Sequence, residues 1–158
     1  MQIAILAGVA VAAAGAVAVA GLTLGGGGGS ASPEEYRETV VRARNQVEFA
    51  LGKLAGVQSA EELLDRLDQA AGVLDNTAAS LDGADVADGF EDEQENLVEA
   101  LRALSSEVSG TAATLRDPAF ADTIPRLTSL SFPQWEVVNR ILRDLDEQGI
   151  NVEPLARH

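Results

Sequence analysis

The chain has no cysteine, one histidine, one lysine and few aromatic residues: one Trp, one Tyr and four Phe in 158 residues. Each scarcity removes a class of function. Without thiols there is no disulfide framework, no zinc-thiolate or iron–sulfur site and no cysteine nucleophile. The single histidine is His158, the last residue, where chain ends are commonly loose. No Ser-His-Asp, Ser-Lys or His-metal constellation can be assembled, and the Glu-x-x-His pairs of a di-metal bundle are missing. The chain therefore reads as a non-enzyme with no cofactor. Positive charge is also scarce: 11 Lys+Arg face 25 Asp+Glu, a formal net charge of −14. Such a surface repels phosphate backbones, so nucleic acid is not an expected partner.

What is abundant is Ala, Gly, Val, Leu and acid, sorted along the chain. Residues 3–24 carry no charge and one polar side chain, Thr23. As a helix this run spans about 33 Å, close to the ~30 Å hydrocarbon core of a bilayer. Its length favours a transmembrane helix over the shorter apolar core of a signal peptide. Nine of the 22 residues are Ala, so its hydrophobicity is modest. Small residues recur at Ala4, Gly8, Ala12, Ala16 and Ala20, a spacing that lets membrane helices approach closely. Ala18-Val19-Ala20 before Gly21 also satisfies the small-x-small rule for cleavage. Residues 1–24 are thus expected to be a transmembrane or signal-anchor helix, with secretion after cleavage near Ala20 as the alternative. Residues 25–32, with five glycines and Ser30, read as a flexible linker of about 15 Å reach. They lack the Lys of a phosphate-binding loop. The expected location is the cell membrane, with the following domain extracytoplasmic.

Residues 33–158 read as an all-α domain. Ser32-Pro33-Glu34-Glu35 is a capping-box helix start, followed by apolar positions Tyr36, Val40, Ala43, Val47, Ala50/Leu51 and Leu54, with Gly56 as the stop. Ser59-Ala60-Glu61-Glu62 repeats the start, and Leu64, Leu67, Ala71, Leu74, Ala78 and Leu81 repeat the stripe up to Asp82-Gly83. A third helix should begin between Asp85 and Glu91 and end before Pro118, with Leu97, Leu101, Leu104, Val108 and Leu115 inward. A fourth should run from about Pro133 to Gln148 with Trp135, Val138, Leu142 and Leu145 inward, capped by Gly149 and Ile150. Four amphipathic helices with short early links predict an up-down-up-down four-helix bundle.

Two stretches are candidate surfaces. Residues 81–95, LDGADVADGFEDEQE, hold seven carboxylates and no base. Asp82, Asp85, Asp88 and Asp92 could form a weak cation or basic-partner surface, although the offsets of a calcium loop are not met. The bland reading is an acidic helix start that complements the macrodipole. Residues 117–132 are punctuated by Pro118 and Pro125 and followed by Pro133, and Phe120, Phe132 and Trp135 gather between 120 and 135. They could plug one end of the bundle or wall a ligand or partner groove.

The order of apolar N-terminus, Gly/Ser tether, helical hairpin (LDQAAGVLDNTAASLDGADVADGFEDEQENLVEALRAL) and Trp-containing helix closing with Leu145-Asp-Glu-Gln-Gly-Ile150-Asn-Val152 resembles small secreted or lipoprotein-like helical proteins of actinobacteria. The resemblance implies an envelope location and carries over no functional residue. It departs at the lipid-attachment site, where Leu22-Thr23-Leu24-Gly25 has no cysteine to modify. The expected role is a membrane-tethered interaction or structural module with an envelope protein as partner. The alternative is a secreted or periplasmic binder of an apolar ligand or divalent cation.

Overall fold

The computed structural model describes residues 30–57, 59–120 and 130–156, with the Phe120 side chain outside that description. The 1–24 helix and most of the 25–32 linker lie outside these residues. Among the described residues no helix is long and apolar enough to cross a membrane.

Four α-helices follow in order: α1 (Pro33–Gly52), α2 (Ala60–Asp82), α3 (Glu91–Leu115) and α4 (Pro133–Leu145). No strand occurs among the described residues, only a single bridge between Ala31 and Ala87. α1 starts as its sequence dictates. The Ser32 hydroxyl accepts from the Glu35 N–H at 3.2 Å, and the Glu35 carboxylate accepts from the Ser32 N–H at 2.9 Å. Two of the orphan N–H groups are thereby satisfied, and Pro33 fills the first helical position. Those bonds favour the ionised acid, so Glu35 is held below the usual carboxylate range, first by the Ser32 backbone and then by its hydroxyl. Ser59 caps α2 through the Glu62 N–H at 3.1 Å. α4 has no side-chain cap of its own. Glu107 of α3 serves instead, accepting from the Gln134 N–H at 3.1 Å.

Helix ends differ from expectation in two places. α1 stops at Gly52, four residues before Gly56. Leu54 and Ala55 bond back to Leu51 and Gly52, the tighter 3-10 pattern, and Gly56 then reverses the chain at φ +73°. α4 stops at Leu145, and a π turn, Asp146–Ile150, takes over. Gly149 supplies its φ of +97° and Ile150 is buried, as the cap pattern required.

Consecutive helices pair. In α2 and α3, Ser105 donates to the Ala71 carbonyl at 3.0 Å, Arg102 meets Asp82 at 2.7 Å, and Arg116 pairs with Asp68. Those registers run in opposite directions, so the two helices are antiparallel. Gln46 with Thr77, and Arg66 with the Lys53 carbonyl, place α1 antiparallel to α2. Glu107 with Gln134, and Glu93 with Gln148, do the same for α3 and α4. The core they enclose is aliphatic: Leu67, Leu74 and Leu81 of α2, Leu101 and Leu104 of α3, and Leu142 and Leu145 of α4 are all fully buried. At about 1.5–3 kcal/mol per fully buried large side chain, this burial is the main force holding the helices together. The stripe of α2 is rotated slightly from its expected line: Leu63 is buried and Leu64 is half-buried.

Candidate functional site

The acidic stretch folds into the α2–α3 connection, and most of its charges have local work. Asp82 ends α2 and pairs with Arg102 across to α3. Asp88 accepts from the Ser30 hydroxyl. The Ala31 N–H donates to the Val86 carbonyl at 3.0 Å, so the last residues before α1 are stitched onto this connection. Glu91 accepts from the Gly89 N–H at 2.9 Å, and Gly89 takes the φ of +87° that the turn requires. Asp92 lies in the first turn of α3 beside Glu91 and Glu93, where the macrodipole favours negative charge, and Asp85 is exposed. Among the described residues, no group of three or more His or carboxylate side chains converges as a metal site would.

Beneath this connection sits Tyr36, fully buried, its ring 5.6 Å from that of Phe90. Its hydroxyl has no hydrogen-bond partner among the described residues. Burial pushes the phenol up to about 12, and the nearby Glu93 and Glu91 charges add to the effect. Gln94 lies in the same region. Its amide donates to the Leu81 and Ala84 carbonyls at 2.8 and 3.2 Å and so caps the end of α2.

The aromatic candidates are placed only in part. Phe120 ends a short 3-10 turn, Pro118–Phe120. Phe132 is the residue before α4, and its carbonyl accepts from the Trp135 N–H at 3.0 Å. Both Phe132 and Trp135 are half-buried against the core. The rest of the groove expected here falls on residues 121–129, outside the described ones.

One surface was missed by sequence reasoning. Val41 and Phe49 of α1 lie off its inward stripe, and with Arg37, Arg42, Asn45 and Gln46 they line a shallow concavity. Phe49 is 66% exposed, the one large hydrophobic side chain left open among the described residues. The Lys53 ammonium stands 4.2 Å above its ring. The signal was present in the sequence: two apolar residues, Val41 and Phe49, out of phase with the stripe at Tyr36, Val40, Ala43 and Val47. The concavity, which Glu38 also lines, offers apolar area, two guanidinium groups and a carboxylate, features of a protein contact surface.

Comparison of the chain with protein-family models, with curated proteins and with solved structures gives no match.

Proposed function

We propose that the chain is a membrane-tethered, extracytoplasmic four-helix bundle of up-down-up-down topology that acts as an interaction or structural module without catalytic activity. The observation that carries this reading is the order of its parts. An uncharged 22-residue apolar run and a glycine linker precede a helical domain whose interior is filled by Leu, Val and Ala. The buried polar side chains Thr77, Ser105, Gln94 and Asn139 support it, because their bonds run to backbone or to a neighbouring helix, as structural groups do. The exposed Phe49 and the α1 concavity supply a contact surface for an envelope protein partner.

The test is fractionation of native cells followed by protease treatment of intact cells or spheroplasts. The reading expects the chain in the membrane fraction with its helical domain cleaved from outside. Recovery of the chain in the cytosol, or protection of the domain in intact spheroplasts, would remove it.

A further inference from the structure

The outer face of α1 gathers positive charge of a kind that is neutralised elsewhere in the domain. Among the described residues Arg44, Arg66, Arg102 and Arg116 each lie within ion-pair distance of a carboxylate. Arg37, Arg42 and Lys53 do not, in a chain where 25 acids face 11 bases. All three surround the exposed Phe49: Arg37 and Arg42 line the concavity with it, and the Lys53 ammonium covers its ring. Among the described residues Glu38 is the only carboxylate lining that concavity, so three cations face one anion on an otherwise acidic molecule. The amides between them add donors. The Asn45 and Gln46 side-chain oxygens accept from Arg44 and Thr77, which leaves their NH2 groups to donate. The face is presented from a rigid element, because the other side of α1 is locked in the core through Tyr36, Val40, Ala43 and Val47. A ligand that answers it carries negative acceptors around an apolar group.

The cations are spread from Arg37 to Lys53, about 24 Å along the helix axis. One small anion meets one of them, whereas a peptide segment meets them all. Anionic lipid fits less well. The chain enters the domain at its acidic end, where Ser30 bonds to Asp88 and Ala31 to Val86, and Phe49 lies about 24 Å farther along α1. Anionic headgroups at that end meet carboxylates first, and the −14 of the whole chain opposes them. We propose that the outer face of α1 docks an acidic segment of a protein partner, with an apolar side chain of the segment seated against Val41 and Phe49 and its carboxylates on Arg37 and Arg42. The inference rests on reading the domain as an interaction module and adds the chemistry of what it binds.

The test is selection of displayed random peptides on the full chain held in phosphatidylcholine nanodiscs, with the selected peptides then synthesised and titrated. Selected sequences should carry Asp or Glu on either side of Leu, Ile or Phe. Their affinity should fall about tenfold when Arg37→Glu and Arg42→Glu are combined, and about tenfold in Phe49→Ala, none of which touches the buried core. It should also weaken as salt rises, because these pairs are exposed. Exchanging the peptide acids for Lys should restore binding to the doubly substituted chain and abolish it on the wild type. Failure to select any peptide, selection of basic sequences, or affinity indifferent to the Arg37 and Arg42 changes overturns the proposal. So does flotation of the nanodiscs with phosphatidylglycerol vesicles that the same changes abolish, which would make the occupant a membrane. Membrane location is decided separately by cell fractionation, so the partner chemistry and the tethered-module reading fail on different results.

Discussion

Replacing Tyr36 with Phe should stabilise the domain, although it removes a polar group from the only tyrosine in the chain. The ring is fully buried and packs on Phe90, and Phe keeps both features. The hydroxyl is buried without a partner among the described residues. An unsatisfied buried polar group costs about 1–3 kcal/mol, so removing it should return about 1 kcal/mol after small packing losses. For a domain of this size that corresponds to a rise in melting temperature of roughly 3–5 °C. Urea unfolding gives the cleaner readout, with a higher midpoint at unchanged slope. The pH dependence supplies a second, independent signature. The folded-state phenol is raised to about 12 from an ordinary 10.0. Its protonated form is therefore favoured by folding, so the contribution is complete below about pH 10 and is lost as pH rises toward about 12. Over that window the wild type should lose stability relative to Tyr36→Phe, and tyrosinate absorbance should report ionisation delayed until unfolding. A Tyr36→Phe variant less stable than wild type by 1 kcal/mol or more would show that the hydroxyl is hydrogen-bonded. An equal alkaline limb in both proteins would refute the burial argument.

Three further outcomes follow from the same packing and capping. Leu104→Ala, at a fully buried position of α3, should cost about 2–5 kcal/mol in denaturant unfolding, and a loss under 1 kcal/mol would mean the core is not packed as described. Ser32→Ala should blunt the acid sensitivity of the domain. The depressed folded value of Glu35 makes its contribution present at neutral pH and lost as pH falls through that value, so the gap between wild type and variant should narrow in acid, down to the share of the Ser32 hydroxyl's bond to the Glu35 N–H. Ser59→Ala should cost about 1 kcal/mol by removing the α2 cap, read by the same unfolding curves, whereas no change would show that the cap is redundant.

The elements legible in sequence are those set by local rules. Ser32 and Ser59 announced two helix starts, and Gly149 announced the positive-φ turn after α4 though not the end of α4 at Leu145, because capping and positive φ are short-range matters. The three-and-four spacing of Val40, Leu67, Leu74, Leu101 and Leu104 announced the core, because a helical stripe needs no knowledge of its neighbour. What stayed hidden depends on tertiary placement. Asn139 sits on an apolar stripe with no sign that it serves the Leu155 backbone sixteen residues on. Arg44 reads as a solvated charge until the C-terminal segment is laid across it. Glu107 caps α4 from another helix, beyond any local pattern. The acidic stretch was legible as a helix start rich in carboxylates, but its bonds to Ser30 and Arg102 were not. The α1 concavity needed only Phe49 and Val41 to be noticed as out of phase.

The central claim is that residues 1–24 remain on the chain and hold an extracytoplasmic domain at the membrane. Intact mass measurement of protein recovered separately from native membranes and from culture supernatant tests it most directly. The account predicts a membrane species that retains Met1 or its immediate successor. A supernatant species beginning at Gly21, with none in the membrane, would contradict it and would make the domain a freely diffusing acidic bundle.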